Sequence, residues 1–218
     1  TDKTAQAYFV YDSKKSGGIT ISHLRFGDSP VNYPFLINRA DFVACHNPAY
    51  IGRYDMLSAL REGGTFLLNS EIPTSEVFNH LTRQEQEIII NRKIRFFNMD
   101  ALKIATDVGL GGRVNTVMQT AFFKLSGILP EKEAIGLIKK AAKKSFEKKG
   151  MDIVEKNWKA IDGSVAAIEE VKVPATITQS YVPPQLIRDD ADAFARDIIL
   201  QGMLLKGDEI PVSKMSYD

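Results

Sequence analysis

The chain has 218 residues, of which 44% are hydrophobic, and its 28 Lys and Arg residues nearly balance 27 Asp and Glu residues to give a formal net charge of +1. This apolar fraction suffices for a substantial core, so a globular protein is predicted. The near-neutral charge argues against a nucleic-acid-binding or membrane-binding surface as a whole, and any anion site must be local.

The chain holds one cysteine, Cys45, and three scattered histidines. A single thiol excludes an internal disulfide and cannot supply the several thiolates of an iron–sulfur cluster, and no metal-ligand spacing is present. The first residues do not resemble a signal peptide, and no apolar run approaches the roughly 20 residues that span a bilayer. We therefore expect a cytoplasmic protein without a metal site in this segment.

The chain opens on a predicted strand, turn and strand. An apolar run over residues 7–11 leads into Ser13-Lys14-Lys15-Ser16-Gly17-Gly18, and an alternating run over residues 19–27 follows. Hydroxyls, lysine ammonium groups and accessible glycine N–H groups favour a phosphate-binding turn. A solvated hairpin loop explains the same residues, and the turn fits no nucleotide-binding motif.

Two side chains of the second strand have structural interpretations. Arg25 can pair with a phosphate, but an ion pair with Asp12 or Asp28 is the preferred interpretation. His23 alternates with apolar residues and is predicted to be a strand residue with a satisfied hydrogen bond.

The next segment alternates between predicted strands and helices. Short apolar runs predict buried strands at residues 42–45, 65–69 and 94–98, and helices are predicted at residues 51–61 and 75–93, the second capped by Thr74 or Ser75. This order predicts an α/β fold, a layered α/β/α domain with a mixed sheet. Cys45 and His46 do not form a nucleophilic pair, because adjacent strand residues face opposite sides.

The second half is predicted to be rich in helices, followed by an extended tail. Helices are expected at residues 101–108, 115–125, after Pro130, at 151–171 and at 189–205. In the helix after Pro130, lysines crowd the side opposite an apolar stripe and form a solvated face. Residues 1–218 are interpreted as one domain, with residues 174–218 as an extended tail and final helix that pack onto other domains.

A second candidate anion site precedes the helix at residues 115–125. Gly109-Leu-Gly-Gly-Arg113-Val-Asn115 combines glycines with a helix N-terminus, which attracts anions. Asn115 can equally be the N-cap residue. Trp158 is either a core residue or a surface for an adenine ring. No pair of carboxylates stands out as an acid/base couple, so no catalytic residue is predicted.

Several strings in the chain resemble a known family, pyruvate:ferredoxin (or flavodoxin) oxidoreductase, over residues 5–218. The resemblance is to its third domain, the counterpart of the gamma subunit in multi-subunit relatives. The strings are Asp12-Ser-Lys-Lys-Ser-Gly-Gly18, Ser22-His-Leu-Arg-Phe-Gly27, Ala40-Asp-Phe-Val-Ala-Cys-His-Asn47, Glu62-Gly-Gly-Thr-Phe-Leu-Leu-Asn69 and Ile210-Pro-Val-Ser-Lys-Met-Ser-Tyr-Asp218.

The resemblance implies a role in binding coenzyme A. In the family, pyruvate is oxidatively decarboxylated on thiamine pyrophosphate with Mg, electrons pass through 4Fe–4S clusters to ferredoxin or flavodoxin, and coenzyme A takes the acetyl group. The thiamine cofactor and the clusters belong to other domains, and the third domain is associated with coenzyme A. The motifs assign contacts with coenzyme A to Lys15, with Lys14 adjacent, to Asn115 and to Asn157.

The resemblance also implies partners and a larger context. The expected partners are the other domains of the same enzyme and the acceptor ferredoxin or flavodoxin, and the parent enzyme is expected to be a homodimer. A Gly-rich segment lies upstream in the family, so both ends are interpreted as cuts, and the chain alone is expected to have no turnover. Two alternatives stay open: a scaffold that packs between domains, and the gamma subunit of a related 2-oxoacid oxidoreductase.

Overall fold

The computed structural model describes residues 3–11 and 18–215. The described strands are β1 (Thr4–Tyr11), β2 (Thr20–Gly27), β3 (Ala40–Cys45), β4 (Leu60–Asn69), β5 (Arg95–Met99) and β6 (Glu169–Glu170). The described α-helices are α1 (Arg83–Asn91), α2 (Ala101–Asp107), α3 (Asn115–Ser126), α4 (Glu131–Phe146), α5 (Met151–Ala167) and α6 (Leu200–Met203). No helix among these residues is both long enough and apolar enough to cross a membrane.

The main sheet has the strand order β3-β4-β5-β6, with β3, β4 and β5 parallel and β6 antiparallel to β5. Successive side chains of β4 point to opposite faces, so Phe66 and Leu68 enter one core and Leu67 enters another. All three are fully buried. Strands covered on both faces need continuous apolar runs, which explains why the sequence predicted β3, β5 and the part of β4 from residue 65 correctly, whereas β6 lies within the helix predicted at residues 151–171.

Helices cover both faces of this sheet. On one face, α1 and a 3₁₀ turn (Val77–His80) supply Ile89, Val77 and Phe78 to the core. On the other face, α2, α3 and α5 contribute small residues that allow close packing, among them Ala105 and Ala160. Helix α4 packs outside α3 and α5 through a third cluster. This arrangement confirms the predicted layered α/β fold with a mixed sheet and a helix-rich second half.

The predicted stripe on α4 is confirmed. Ile138 and Ala142 are buried, and Ile135 and Phe146 pack against them in the third cluster. On the opposite side, Lys140, Lys143 and Lys144 are exposed, as the solvated-face interpretation requires, whereas Lys139, predicted to lie on the same face, is partly buried and pairs with Asp162 of α5 at 2.7 Å.

Strands β1 and β2 pair antiparallel in a separate two-stranded sheet, with Ala5 opposite Phe26 and Tyr11 opposite Thr20. This pairing confirms the predicted succession of strands. The hairpin is anchored at its base, where the Phe26 ring lies 5.8 Å from that of Phe122 and 6.2 Å from that of Phe123.

The opposite face of the hairpin carries a covering segment, residues 33–37, which we call the strap. The side-chain amide of Gln6 donates to the Tyr33 carbonyl, and the Ile37 N–H donates to Nδ1 of His23 at 3.2 Å. The hydrogen bond predicted for His23 is therefore confirmed. Partial burial and the Arg25 charge lower the pKa of His23, which favours the neutral imidazole that accepts this bond.

The preferred ion pair of Arg25 with Asp28 is wrong. Asp28 pairs with Lys3 instead. Arg25 donates to the Phe35 carbonyl and lies over the rings of Tyr33 and Phe35, so it holds the strap by hydrogen bonding and cation–π contact. Asp12 lies outside the described residues.

The helix predicted at residues 51–61 is also wrong. Gly52 has a φ of +68°, which breaks a helix, and Asp55 accepts the Ser58 N–H in a turn. Strand β4 then begins at Leu60, and the register of β3 against β4 shifts between Ala40 and Phe42. The two glycines at 63 and 64 are thus part of an irregular strand and do not end a helix.

The helix predicted at residues 75–93 is much shorter in the structure. After the 3₁₀ turn, α1 begins behind Thr82, whose hydroxyl accepts the Glu85 N–H while Oε2 of Glu85 accepts the Thr82 N–H. This reciprocal capping box, and neither Thr74 nor Ser75, defines the start of the helix.

The C-terminal segment departs from the prediction in two places. Helix α5 ends at Ala167 because Glu170 pairs with Phe97 in the sheet. The helix predicted at residues 189–205 is present but shorter: it runs over residues 193–203 and includes a π-helical turn (Ala195–Ile199) and α6, and Asp192 accepts the Ala195 N–H near its start.

The first part of the tail is bound to this same domain. The fully buried Gln86 side chain donates to the Gln179 carbonyl at 3.1 Å and accepts the Thr178 N–H at 3.0 Å. The Tyr181 N–H donates to the Leu81 carbonyl. Packing of the tail onto other domains stays a prediction.

Candidate functional site

The loop before α3 has an open, glycine-rich backbone. Gly109 and Gly111 have φ values of +76° and +59°, a conformation that favours glycine. A Cβ placed on Gly111 or Gly112 would contact nothing within 4 Å among the described residues. A ligand can therefore approach the backbone at residues 111–112 without displacing a neighbouring group.

The first turn of α3 offers backbone donors. Val114 holds the cap position and contributes no side-chain hydrogen bond, so the N-cap interpretation of Asn115 is wrong. Asn115 is instead the first helical residue and is exposed. The first N–H groups of a helix lack intrahelical acceptors and carry partial positive charge, so this turn can bind an anion.

Asn157 lies behind this turn and is 3% exposed. Its Nδ2 donates to the Ile153 carbonyl at 2.8 Å, and its Oδ1 accepts the Thr116 hydroxyl at 3.1 Å. Both ends of the amide are therefore engaged with protein groups. This geometry suits a residue that positions the start of α3 from behind, while direct contact with a ligand stays a prediction.

A second bond fixes the relative orientation of α3 and α5. Nζ of Lys124 donates to the Val165 carbonyl at 2.6 Å, eight residues further along each helix than the Thr116–Asn157 bond. Equal spacing on both helices means that α3 and α5 run parallel. The start of α3 is therefore held by a helix that is itself buried against the sheet.

Lys156 is a residue of this site that the sequence reasoning did not select. A Cβ on Gly109 would lie 3.6 Å from Cε of Lys156, so the lysine side chain crosses the glycine loop. Its ammonium group is 4.0 Å from the Asp152 carboxylate, a long and exposed pair that leaves the charge available to a ligand. In the sequence, only the position of Lys156 directly before Asn157 indicates that this lysine belongs to the site.

Lys14 and Lys15 lie outside the described residues. The last described pair of the hairpin, Tyr11 with Thr20, lies about 20 Å along the strands from the Ala5–Phe26 pair, given the rise per residue of a strand. Asn115 lies about 10 Å along α3 from Phe122, which anchors the same end of the hairpin. The structure thus links Asn157 to the residue after Asn115 through Thr116 and places Lys156 against the glycine loop, and proximity of the lysine turn to them stays a prediction.

The remaining candidates have structural explanations. Cys45 is 2% exposed and its Sγ donates to the Asn47 carbonyl at 3.0 Å, and burial raises the pKa of the thiol to about 11. A protonated buried thiol is a poor nucleophile. Trp158 donates from Nε1 to the Lys139 carbonyl and packs in the third cluster, which confirms its core interpretation.

The fold and this loop define a class of protein: a layered α/β domain with an open, glycine-rich loop before a helix on one side of its sheet. Residues 1–167 match the family model for pyruvate ferredoxin/flavodoxin oxidoreductase, so the chain belongs to that family.

Curated relatives match along nearly the whole chain. The pyruvate:ferredoxin oxidoreductase of Moorella thermoacetica is 45% identical over 218 residues, which are 100% of this chain and 19% of the relative. A pyruvate-flavodoxin oxidoreductase of Klebsiella pneumoniae is 44% identical over 97% of this chain and 18% of the relative. The chain spans about a fifth of the length of the curated relatives it matches.

Two solved structures share the fold. The pyruvate oxidoreductase subunit PORC of Thermotoga maritima gives a TM-score of 0.59 at 19% identity and covers 78% of this chain and 83% of its own. The gamma subunit of a keto/oxoacid ferredoxin oxidoreductase from Geobacter sulfurreducens gives 0.51 at 18% identity, with coverages of 77% and 82%. These neighbours show that the layered α/β fold of this chain occurs in solved structures.

Proposed function

We propose that this chain is the coenzyme-A-binding domain of an enzyme that oxidatively decarboxylates pyruvate to acetyl-coenzyme A and passes electrons to ferredoxin or flavodoxin. Membership of the pyruvate ferredoxin/flavodoxin oxidoreductase family, over residues 1–167, carries this proposal. Thiamine pyrophosphate, Mg and 4Fe–4S clusters then belong to other parts of the enzyme. The chain's role is to hold the thiol substrate that takes the acetyl group.

The chemistry of coenzyme A suits the residues at the glycine loop. Its 3′-phosphate and pyrophosphate require cations and N–H donors. The open backbone at residues 111–112, the first N–H groups of α3 and the exposed Asn115 amide supply donors, and Lys156 supplies a charge. Lys14 and Lys15 add two further cations in this proposal.

The four residues assigned to coenzyme A divide into two roles. Lys15, with Lys14 beside it, and Asn115 contact the ligand directly. Asn157 acts through Thr116, because its amide is engaged on both sides and holds the first turn of α3 in place. Removing the Asn157 amide should therefore weaken binding less than removing a direct phosphate contact.

Calorimetric titration of coenzyme A and dephospho-coenzyme A into the whole enzyme tests the proposal. Lys15→Ala and Lys14→Ala should each weaken coenzyme A binding by about 1.5 kcal/mol or more, the scale of a hydrogen bond to a charged group. If the 3′-phosphate is the partner of the turn, these losses shrink with dephospho-coenzyme A. Lys140→Ala, on the exposed face of α4, is the matched control and should bind as the unaltered enzyme does.

Unchanged affinity in both lysine variants would refute the phosphate-binding turn. Absence of coenzyme A binding in the whole enzyme would refute the proposed function, and the domain would then be a scaffold. Turnover of a 2-oxo acid other than pyruvate would assign the chain to a related oxidoreductase and leave the coenzyme A site in place.

A further inference from the structure

One face of the β1–β2 hairpin is largely apolar, with Ser22 and Thr20 as its polar members, and the body of the domain covers it only at its base. Antiparallel partners share a face, so Ala5 and Phe26 lie on the same side as Ala7, Phe9, Tyr11 and Leu24. We call the last four residues the arm face. Phe9 is 55% exposed, Tyr11 73% and Leu24 41%.

The body of the domain covers this side of the hairpin only near Ala5 and Phe26. There the Phe26 ring packs against Phe122 and Phe123, and an apolar cleft lined by Ile128 and Leu137 continues from it. The strap cannot cover the arm face, because it binds the opposite side through Gln6, His23 and Arg25. The arm face thus extends beyond the reach of the strap and of α3.

A hairpin with an uncovered apolar face gains little stability from packing. A two-stranded sheet is marginally stable in water and needs a third strand or a packed layer. Both of its outer edges present unpaired backbone groups, since the described sheet consists of β1 and β2 alone. Contiguous exposed apolar surface on such an element marks an interface.

We infer that the arm face is a docking surface for another segment of the same polypeptide, an apolar segment outside these 218 residues. The length of the relatives supports this occupant, because the chain spans about a fifth of them. The inference rests on the proposed function in one respect: it takes this chain as a domain of such a long enzyme. It makes no use of the coenzyme A site.

Photo-crosslinking in the whole polypeptide tests the inference. In one variant, a benzophenone amino acid replaces Phe9. In the control variant, it replaces Lys140 on the exposed lysine face of α4. Mass spectrometry should identify a cross-link from position 9 to a peptide beyond residues 1–218 of the same chain, with at least tenfold more product than from position 140. Mixing isotopically light and heavy protein separates links within one polypeptide from links between two copies.

Hydrogen exchange tests the same inference without a cross-linking amino acid. The amides of β1 and β2 should exchange at least tenfold more slowly in the whole polypeptide than in the 218-residue chain, and Phe9→Asp should remove that difference. A cross-link to a second copy, a cross-link only within these 218 residues, equal exchange in the two proteins, or a natural polypeptide with no further sequence would each overturn the inference. Coenzyme A binding, measured separately, reports on the proposed function alone.

Discussion

Replacement of Gln86 by leucine should release the tail from the body of the domain. Gln86 is fully buried on α1, although glutamine is a polar residue. Its amide donates to the Phe78 carbonyl at 2.9 Å and to the Gln179 carbonyl at 3.1 Å, and its Oε1 accepts the Thr178 N–H at 3.0 Å. Leucine has a similar volume and makes none of these bonds.

The expected loss follows from the groups left behind. The Phe78 carbonyl keeps its hydrogen bond from the Leu81 N–H. The substitution of Gln86 therefore removes a hydrogen-bond partner mainly from the Thr178 N–H and the Gln179 carbonyl. Three hydrogen bonds at about 0.5–1.5 kcal/mol each give a loss of about 1.5–4.5 kcal/mol in the free energy of unfolding. Because Gln179 is exposed, part of the loss is relieved if the tail detaches and its backbone binds water.

Denaturant unfolding and hydrogen exchange of the 218-residue chain measure the two effects. The Tyr181 amide, bonded to the Leu81 carbonyl, should lose protection in Gln86→Leu. Gln84→Leu is the matched control, since Gln84 is exposed on the same helix and its replacement should change stability by less than about 0.5 kcal/mol. Equal stability and equal Tyr181 protection in Gln86→Leu and the unaltered protein would refute the reasoning.

Two further predictions concern titrating groups. Because burial raises the pKa of Cys45 to about 11, iodoacetamide at pH 8 should modify the folded protein at least tenfold more slowly than the denatured protein, as mass spectrometry would show, and equal rates would contradict it. The lowered pKa of His23 means that folding favours its neutral form, so its contribution to stability is complete above its ordinary pKa of 6.5 and is lost as the pH falls below that value. The protection factor of the Ile37 amide should therefore drop between pH 7.5 and pH 5.5 and lose this dependence in His23→Leu; an unchanged factor would contradict it.

The sequence predicted the elements whose signal is local and repeated. Strands β3, β4 and β5 are apolar runs because both sheet faces are buried, and the stripe on α4 has helical spacing. The capping box at Thr82 and Glu85 also has a local sequence pattern, a threonine followed three residues later by a glutamate.

Other features depend on partners distant in sequence and leave no local signal. The sequence around Gln86 is that of an ordinary polar helix position, and its burial depends on hydrogen bonds with Thr178 and Gln179, about 90 residues further along the chain. The apparent helix at residues 51–61 has helical spacing, but the pairing of β4 with β3 and β5 outweighs that preference from Leu60 onward. For the same reason, nothing near Asn157 in the sequence indicates that its amide would be engaged by Thr116.

The two parts of the proposed site, the start of α3 and the lysine turn, are anchored to the domain to different degrees. Asn115 starts a helix that is tied to α5 by two hydrogen bonds and lies on the core of the sheet. The lysine turn instead joins two strands that are anchored at their base and uncovered toward the turn. If the lysine turn and the start of α3 bind one coenzyme A molecule as proposed, the affinity for coenzyme A depends on whatever holds the hairpin in place, because ordering the hairpin costs conformational entropy. If another segment covers the arm face, that segment raises affinity without contacting the ligand, by reducing the conformational freedom that binding must otherwise remove.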